Sequence, residues 1–211
     1  MSLAYLDKMI ALGMGRVVTV GAFSSGVAGG GAAAVLDLDR PQLAIAVPAG
    51  YVLRPILIAA QVQPGAATTD ADETEILFAV DSLGMWTGDG TFTSENPSNL
   101  NTAWDKGSAC RVGSIFSAEM TTTPRNGGTA ADPVLDIELA REVQTLELAT
   151  AAAQNLYLVR LLYQPALPLW ITGPATLLGY YGGTVAVVGG FAQVQWVEAP
   201  IDLMKKYAEV S

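Results

Sequence analysis

The residue types that usually carry chemistry are thin in this sequence, and what is missing constrains function as much as what is present. There is no histidine, which removes the commonest general base near neutral pH and the commonest zinc ligand. The single cysteine, Cys110, has no imidazole to activate it and is expected to be a small buried hydrophobe. No serine lies in a Gly-x-Ser-x-Gly elbow, and no Gly-Lys-Ser or Gly-Lys-Thr phosphate loop occurs. Gly29, Gly31 and Ala34 have the spacing of a dinucleotide-binding turn. Such a turn must open a helix, and Pro41 follows too soon for one. Asp70, Asp72, Glu73 and Glu75 form the densest acidic cluster. Without a sharp glycine turn and a further acid downstream, they read as a solvated acidic loop rather than a calcium site. Carboxylates for a glycosidase exist by number, but nothing in their order sets two across a cleft. The expectation is a protein without catalytic residues, cofactor or metal.

One constellation remains. From 84 to 108 the composition turns to Gly, Thr, Ser and Asn, with Trp86, Phe92 and Trp104 spaced along it. Long loops in compact domains usually make contacts or carry function. These aromatics suit anchoring to the loop's own sheet or to a neighbouring subunit, and a sugar-stacking platform is the alternative.

The elements that would hold such a loop are strands. Residues 161–197 carry no charge and break, read in twos, into strands at 169–172, 175–181, 184–188 and 191–198. Gly173-Pro174, Gly182-Gly183 and Gly189-Gly190 are the expected turns between them. The last strand alternates Ala192, Val194 and Trp196 with Gln193, Gln195 and Val197, the pattern of a sheet covered on one face. Earlier strands are expected at 16–23, 33–39, 43–47, 51–62, 75–81, 110–120 and 155–163. Pro55 marks an edge, a bulge or a bend in the longest of these. The stretch 134–150 reads as two strands around Arg141 and Glu142, or as a helix over 138–153; the solvent-facing spacing of Asp136, Glu138 and Glu147 favours strands. Leu3, Leu6, Met9 and Ile10 fall at helical spacing after Ser2 and before Gly13, predicting a short amphipathic helix. The glycine-rich stretch 24–31 then predicts a flexible arm. The expected division is an arm over 1–31, a sandwich over 32–200 and a helical tail over 201–211.

Totals point outward from the fold. Among 211 residues, 51% are hydrophobic and only 15% charged, with a mean hydropathy of +0.36, so apolar surface exceeds what one small domain hides. Prolines and glycines break the apolar block, which excludes a membrane helix. The first ten residues do not read as a secretion signal. A net charge of -9 with scattered basic residues argues against a nucleic-acid groove. Self-association in a reducing cytoplasm is the expectation.

Over 43–200 the chain resembles the single jelly-roll structural proteins of virions, including capsid, cement and minor structural proteins of bacterial viruses. The resemblance is carried by residues 51–58 after the Val47-Pro48-Ala49-Gly50 turn, by 173–181 and by 193–200. Lectin, tumour-necrosis-factor-like and cupin domains share that architecture, and the lack of histidine argues against a metal-binding cupin. The resemblance implies an all-β jelly-roll-like antiparallel sandwich with a short N-terminal helix. It further implies a non-enzymatic protein made in a host cytoplasm and built into a virion as a homotrimer beside other virion proteins. In that setting Leu3, Leu6, Met9 and Ile10 would lock neighbours through the arm. The alternative is a carbohydrate-binding jelly roll using Trp86, Phe92 and Trp104.

Overall fold

The computed structural model describes residues 3–21, 36–64, 73–145, 158–166, 169–183 and 187–208. Helix α1 (Leu3–Ala11) leads into β1 (Gly15–Val20), followed by β2 (Leu43–Val47), β3 (Tyr51–Pro64) and β4 (Glu73–Asp81). A long insertion contains β5 (Gly84–Trp86), β6 (Thr93–Glu95), β7 (Ser98–Asn99), β8 (Arg111–Ser114) and β9 (Thr122–Pro124). Then come β10 (Ile137–Thr145), β11 (Val159–Tyr163), β12 (Ile171–Thr172), β13 (Ala175–Gly183), β14 (Val187–Pro200) and helix α2 (Ile201–Ala208).

Two six-stranded antiparallel sheets result. Sheet I runs β11-β3-β14-β1-β7, with β12 also on β3; sheet II runs β10-β4-β13-β2-β8-β6. Within them β1-β14-β3-β11 faces β2-β13-β4-β10, and the chain visits the sheets in the order I, II, I, II, II, I, II, I. That is the double Greek key of a jelly roll. The two-residue alternation decides which side chains meet: Ala192, Val194 and Trp196 of β14 join Val18, Ile58 and Ala60 from sheet I and Ile45, Phe78 and Leu177 from sheet II in one buried core.

Several local expectations change. The sandwich begins at Gly15 rather than residue 32, because β1 pairs along its whole length with β14, from Gly15 opposite Val197 to Val20 opposite Ala192. Gly189 and Gly190 are not a turn: they lie inside β14, where the register to β3 shifts between Val187 and Gly189. Pro55 sits in an interior strand. It opposes Trp196 while Leu57 opposes Gln195, so Ile56 is the bulged residue. On its other side Pro55 falls between the residues that pair with β12 and those that pair with β11, where no ladder asks for its missing N–H.

Residues 137–145 form one continuous strand through Arg141 and Glu142 rather than two, and no helix; the rest of the ambiguous stretch, with Glu147, lies outside the described residues. Arg141 bonds Glu75 at 2.8 Å and Glu138 at 3.0 Å, keeping this sheet edge charged. The strand expected over 110–120 stops at Ser114, and Ile115 takes a positive φ of 54°. No strand forms at 36–39, while the acidic positions 70 and 72, the dinucleotide-like spacing at 29–34 and the arm at 24–31 fall outside the described residues.

Candidate functional site

The insertion between β4 and β10 builds most of the features in which chemistry could reside. Its entry is pinned by Asp81, buried at the end of β4. The carboxylate accepts the Gly84 N–H at 2.6 Å, the Leu83 N–H at 3.1 Å, the Thr122 hydroxyl at 2.7 Å and the Val134 N–H at 3.3 Å. Every bond answers the charge, so Asp81 is structural. The chain then lays Trp86 on the outer face of sheet II, over Ala44, Ala46, Ala79 and Leu178. Small side chains beneath it make the room. Gly113 is required there, since a Cβ on it would stand 2.5 Å from the Trp86 ring. Phe92 meets Trp86 edge-on at 4.7 Å between centroids, Phe116 does so at 5.1 Å, and Phe92 stacks on Phe116 at 5.3 Å. The Trp86 indole N–H donates to the Asp89 carbonyl at 3.0 Å.

Trp86 is 1% exposed, so it offers no face for a sugar. Beside it lies a cavity of about 250 Å³ lined by Ala46, Pro48, Met85, Trp86, Thr87, Ala109 and Arg111. Its single cation, Arg111, already donates to the Thr87 carbonyl. A volume below about 300 Å³ is small for an organic ligand.

Trp104 serves a different element. Helix α1 ends in a Schellman turn: the Gly13 N–H reaches the Ile10 carbonyl at 2.9 Å and the Met14 N–H reaches the Met9 carbonyl at 3.0 Å, with Gly13 at φ 73°. The Trp104 indole N–H donates to the remaining Ala11 carbonyl at 2.9 Å and Asn101 Nδ2 to the same oxygen at 3.0 Å. The insertion thus supplies the helix cap. Its ring lies on Gly13, where a Cβ would come within 2.7 Å of it. Trp86 and Phe92 are therefore together on sheet II, and Trp104 is apart from them on α1.

Of the arm residues, Met9 is buried and Leu6 and Ile10 half-buried against Val52, Val197 and Ala199 on the outer face of sheet I, together with Ile201, Leu203 and Met204 of α2. The side chain of Leu3 lies outside the described residues. In this single chain the amphipathic face of α1 docks on its own sandwich.

The strongest polar feature was not foreseen. Arg16 of β1 and Glu198 of β14 are 2% and 5% exposed, with Nε 3.2 Å from Oε1. Arg16 also donates to the carbonyls of Gly13 at 2.6 Å, Gly15 at 3.0 Å and Gly107 at 3.0 Å. Glu198 accepts the Ser108 hydroxyl at 2.6 Å, the Ala109 N–H at 2.8 Å and the Trp196 indole N–H at 3.1 Å. Both charges are answered, and the group ties the insertion to the first and last strands. Cys110 stands beside it. Burial, then the Glu198 charge, pushes its thiol well above the ordinary range, which keeps it protonated and unreactive.

A looser acidic group holds the insertion's far side. Arg40 approaches Asp37 and Glu119 at 3.6 Å each and Asp39 at 3.9 Å. Asp39 is raised to about 6, first by its hydrogen bond with the Asp37 carboxyl and then by burial.

Among the described residues, no cluster of three His, Cys, Asp or Glu side chains is placed to hold a metal, and no helix is long and apolar enough to cross a membrane. Comparison with family models, with curated proteins and with solved structures gives no match.

Proposed function

We propose that this protein is a non-enzymatic structural protein that self-associates, in the virion shell or as a capsid cement protein, as its resemblance implies. One observation carries the self-association: large apolar side chains stand in solvent around the jelly roll, with Leu162 at 73%, Val134 at 60%, Leu83 at 57% and Leu12 at 53% exposure. A chain with 15% charged residues has little with which to screen them, and contact with further subunits removes that area from water. The homotrimer, the virion setting and the neighbouring virion proteins come from the resemblance alone.

Sedimentation equilibrium at micromolar concentration tests the reading, with electron microscopy of the same sample. A trimer, a ring or a lattice is the expected result. A monodisperse species at the chain mass of 22.0 kDa overturns it. The carbohydrate-binding reading requires Trp86, Phe92 and Trp104 to act as one platform, and their positions do not favour it. Binding on a glycan array that disappears in Trp104→Ala would revive it.

A further inference from the structure

The outer face of sheet I has two unlike halves. At one end α1 and α2 cover Val52, Val197 and Ala199. Toward the other end the register lines up outward-facing positions in rows across four strands: Leu162 of β11 opposite Ala59 of β3, Ala59 opposite Gln193 of β14, and Gln193 opposite Thr19 of β1. The next row sets Arg160 opposite Gln61. The residues alternating with these, such as Ile58, Ala60, Val194, Val18 and Leu161, point into the core.

This half-face has three properties that together point to a partner. It carries no acid among the described residues, and Arg160 is its one charge, although the chain holds 20 acidic and 11 basic residues. It presents Leu162, which at 73% has the highest exposure among the exposed large hydrophobic side chains. Its amides are already aligned: Gln195 Nε2 donates to Gln193 Oε1 at 3.1 Å and Gln193 Nε2 to Thr19 Oγ1 at 3.2 Å.

We infer that this half-face is the surface at which one copy of the chain meets another. The charge balance selects a second copy as the occupant. Two chains of net charge -9 repel, so a second copy docks best on a surface that brings no carboxylate of its own to the contact. Neutral amides, a threonine hydroxyl and an exposed leucine are the polar-apolar mixture of such an interface. The inference rests on the self-association proposed above and names its surface.

The full-length chain tests it in two steps. Sedimentation of the wild type establishes whether the chain self-associates. Sedimentation of Leu162→Glu and Gln193→Glu then shows whether this face is responsible, because each places an acid in the contact. The expected result is an oligomer of the wild type and an association about a hundredfold weaker in each variant, the size of a hot-spot loss, with wild-type circular dichroism retained. As a second readout, Gln193→Cys gives a thiol that reacts slowly with maleimide in the assembled protein and rapidly once Leu162→Glu is added. Assembly that persists in both acidic variants, with the introduced thiol equally reactive in both backgrounds, overturns the surface while leaving self-association standing. A wild-type monomer overturns both. Loss of assembly on Leu83→Glu but not on Leu162→Glu places the contact elsewhere and overturns the surface.

Discussion

The two outer faces of the sandwich are finished by different means. On sheet II the insertion supplies an aromatic layer, with Trp86, Phe92 and Phe116 packed over alanines and Leu178. On sheet I two short helices from the ends of the described chain cover one half, and amides, Thr19 and Leu162, with Arg160 as the one charge, line the other. The first face is closed by a core of its own, and the second keeps a side that a partner can use. A face sealed by large side chains from the same chain gains stability at once. A face lined by amides and an exposed leucine gains it only on contact.

The joint between the two faces is where a single substitution should cost most. Glu198→Ala leaves Arg16 buried without its carboxylate and frees Ser108 and Ala109, and should cost about 4–5 kcal/mol, read as a lower urea midpoint. A variant within about 1 kcal/mol of wild type would remove the joint from the account. Trp86→Ala empties the centre of the aromatic layer and should cost about 3–4 kcal/mol, again by urea titration. Trp104→Ala should cost only about 1 kcal/mol, through loss of one cap bond and contact with Gly13. It should also show faster amide exchange in α1 with β14 unchanged.

Leu162→Ala sharpens the contrast, because truncation at an exposed position should leave unfolding of the monomer within about 0.5 kcal/mol of wild type, measured at a concentration too low for assembly. The last effect is one of pH and concerns Asp39. Its folded value of about 6 lies above the ordinary 3.8, so its contribution is complete below about pH 4 and is lost as pH rises through 6. Melting temperatures of wild type and Asp39→Asn should therefore separate in favour of wild type as pH falls from 6 to 4. Parallel curves would refute the raised value of Asp39.

How much of this was legible follows from what sequence order can encode. Alternation along 191–198 located β14 and its inward face, because the two-residue period is a local property. The same period held an unused signal: counting from Val194 through Trp196 lands on Glu198, an acid on the inward side of an apolar strand, which calls for a buried partner. That partner, Arg16, is far away in sequence and could be named only once β1 was paired with β14. Trp86 reads as a loop aromatic in sequence because its burial depends on Ala44, Ala46 and Gly113, none of them neighbours in the chain. Gly189 and Gly190 misled in the opposite direction. Glycine permits a turn but also a strand irregularity, and only the ladder to β3 distinguishes them.

The pairing of β1 with β14 also fixes when this protein can fold. In sheet I the neighbours of β1 are β14 and the two-residue β7, so during synthesis residues 15–20 leave the ribosome long before their main partner exists. β3 is in the same position, since its thirteen-pair ladder to β14 runs from Pro64 back to Tyr51. Sheet I therefore closes only after β14 is made. The ordering entropy of such distant contacts comes due before they return any stability, which places the protein in the slow range of folding, milliseconds to seconds. Until then, the apolar strands β1 and β3 are exposed edges that a chaperone would have to shield. A nascent chain arrested before residue 187 should remain protease-sensitive across β1 and β3, and one extended past residue 200 with β14 clear of the exit tunnel should be protected within those two strands.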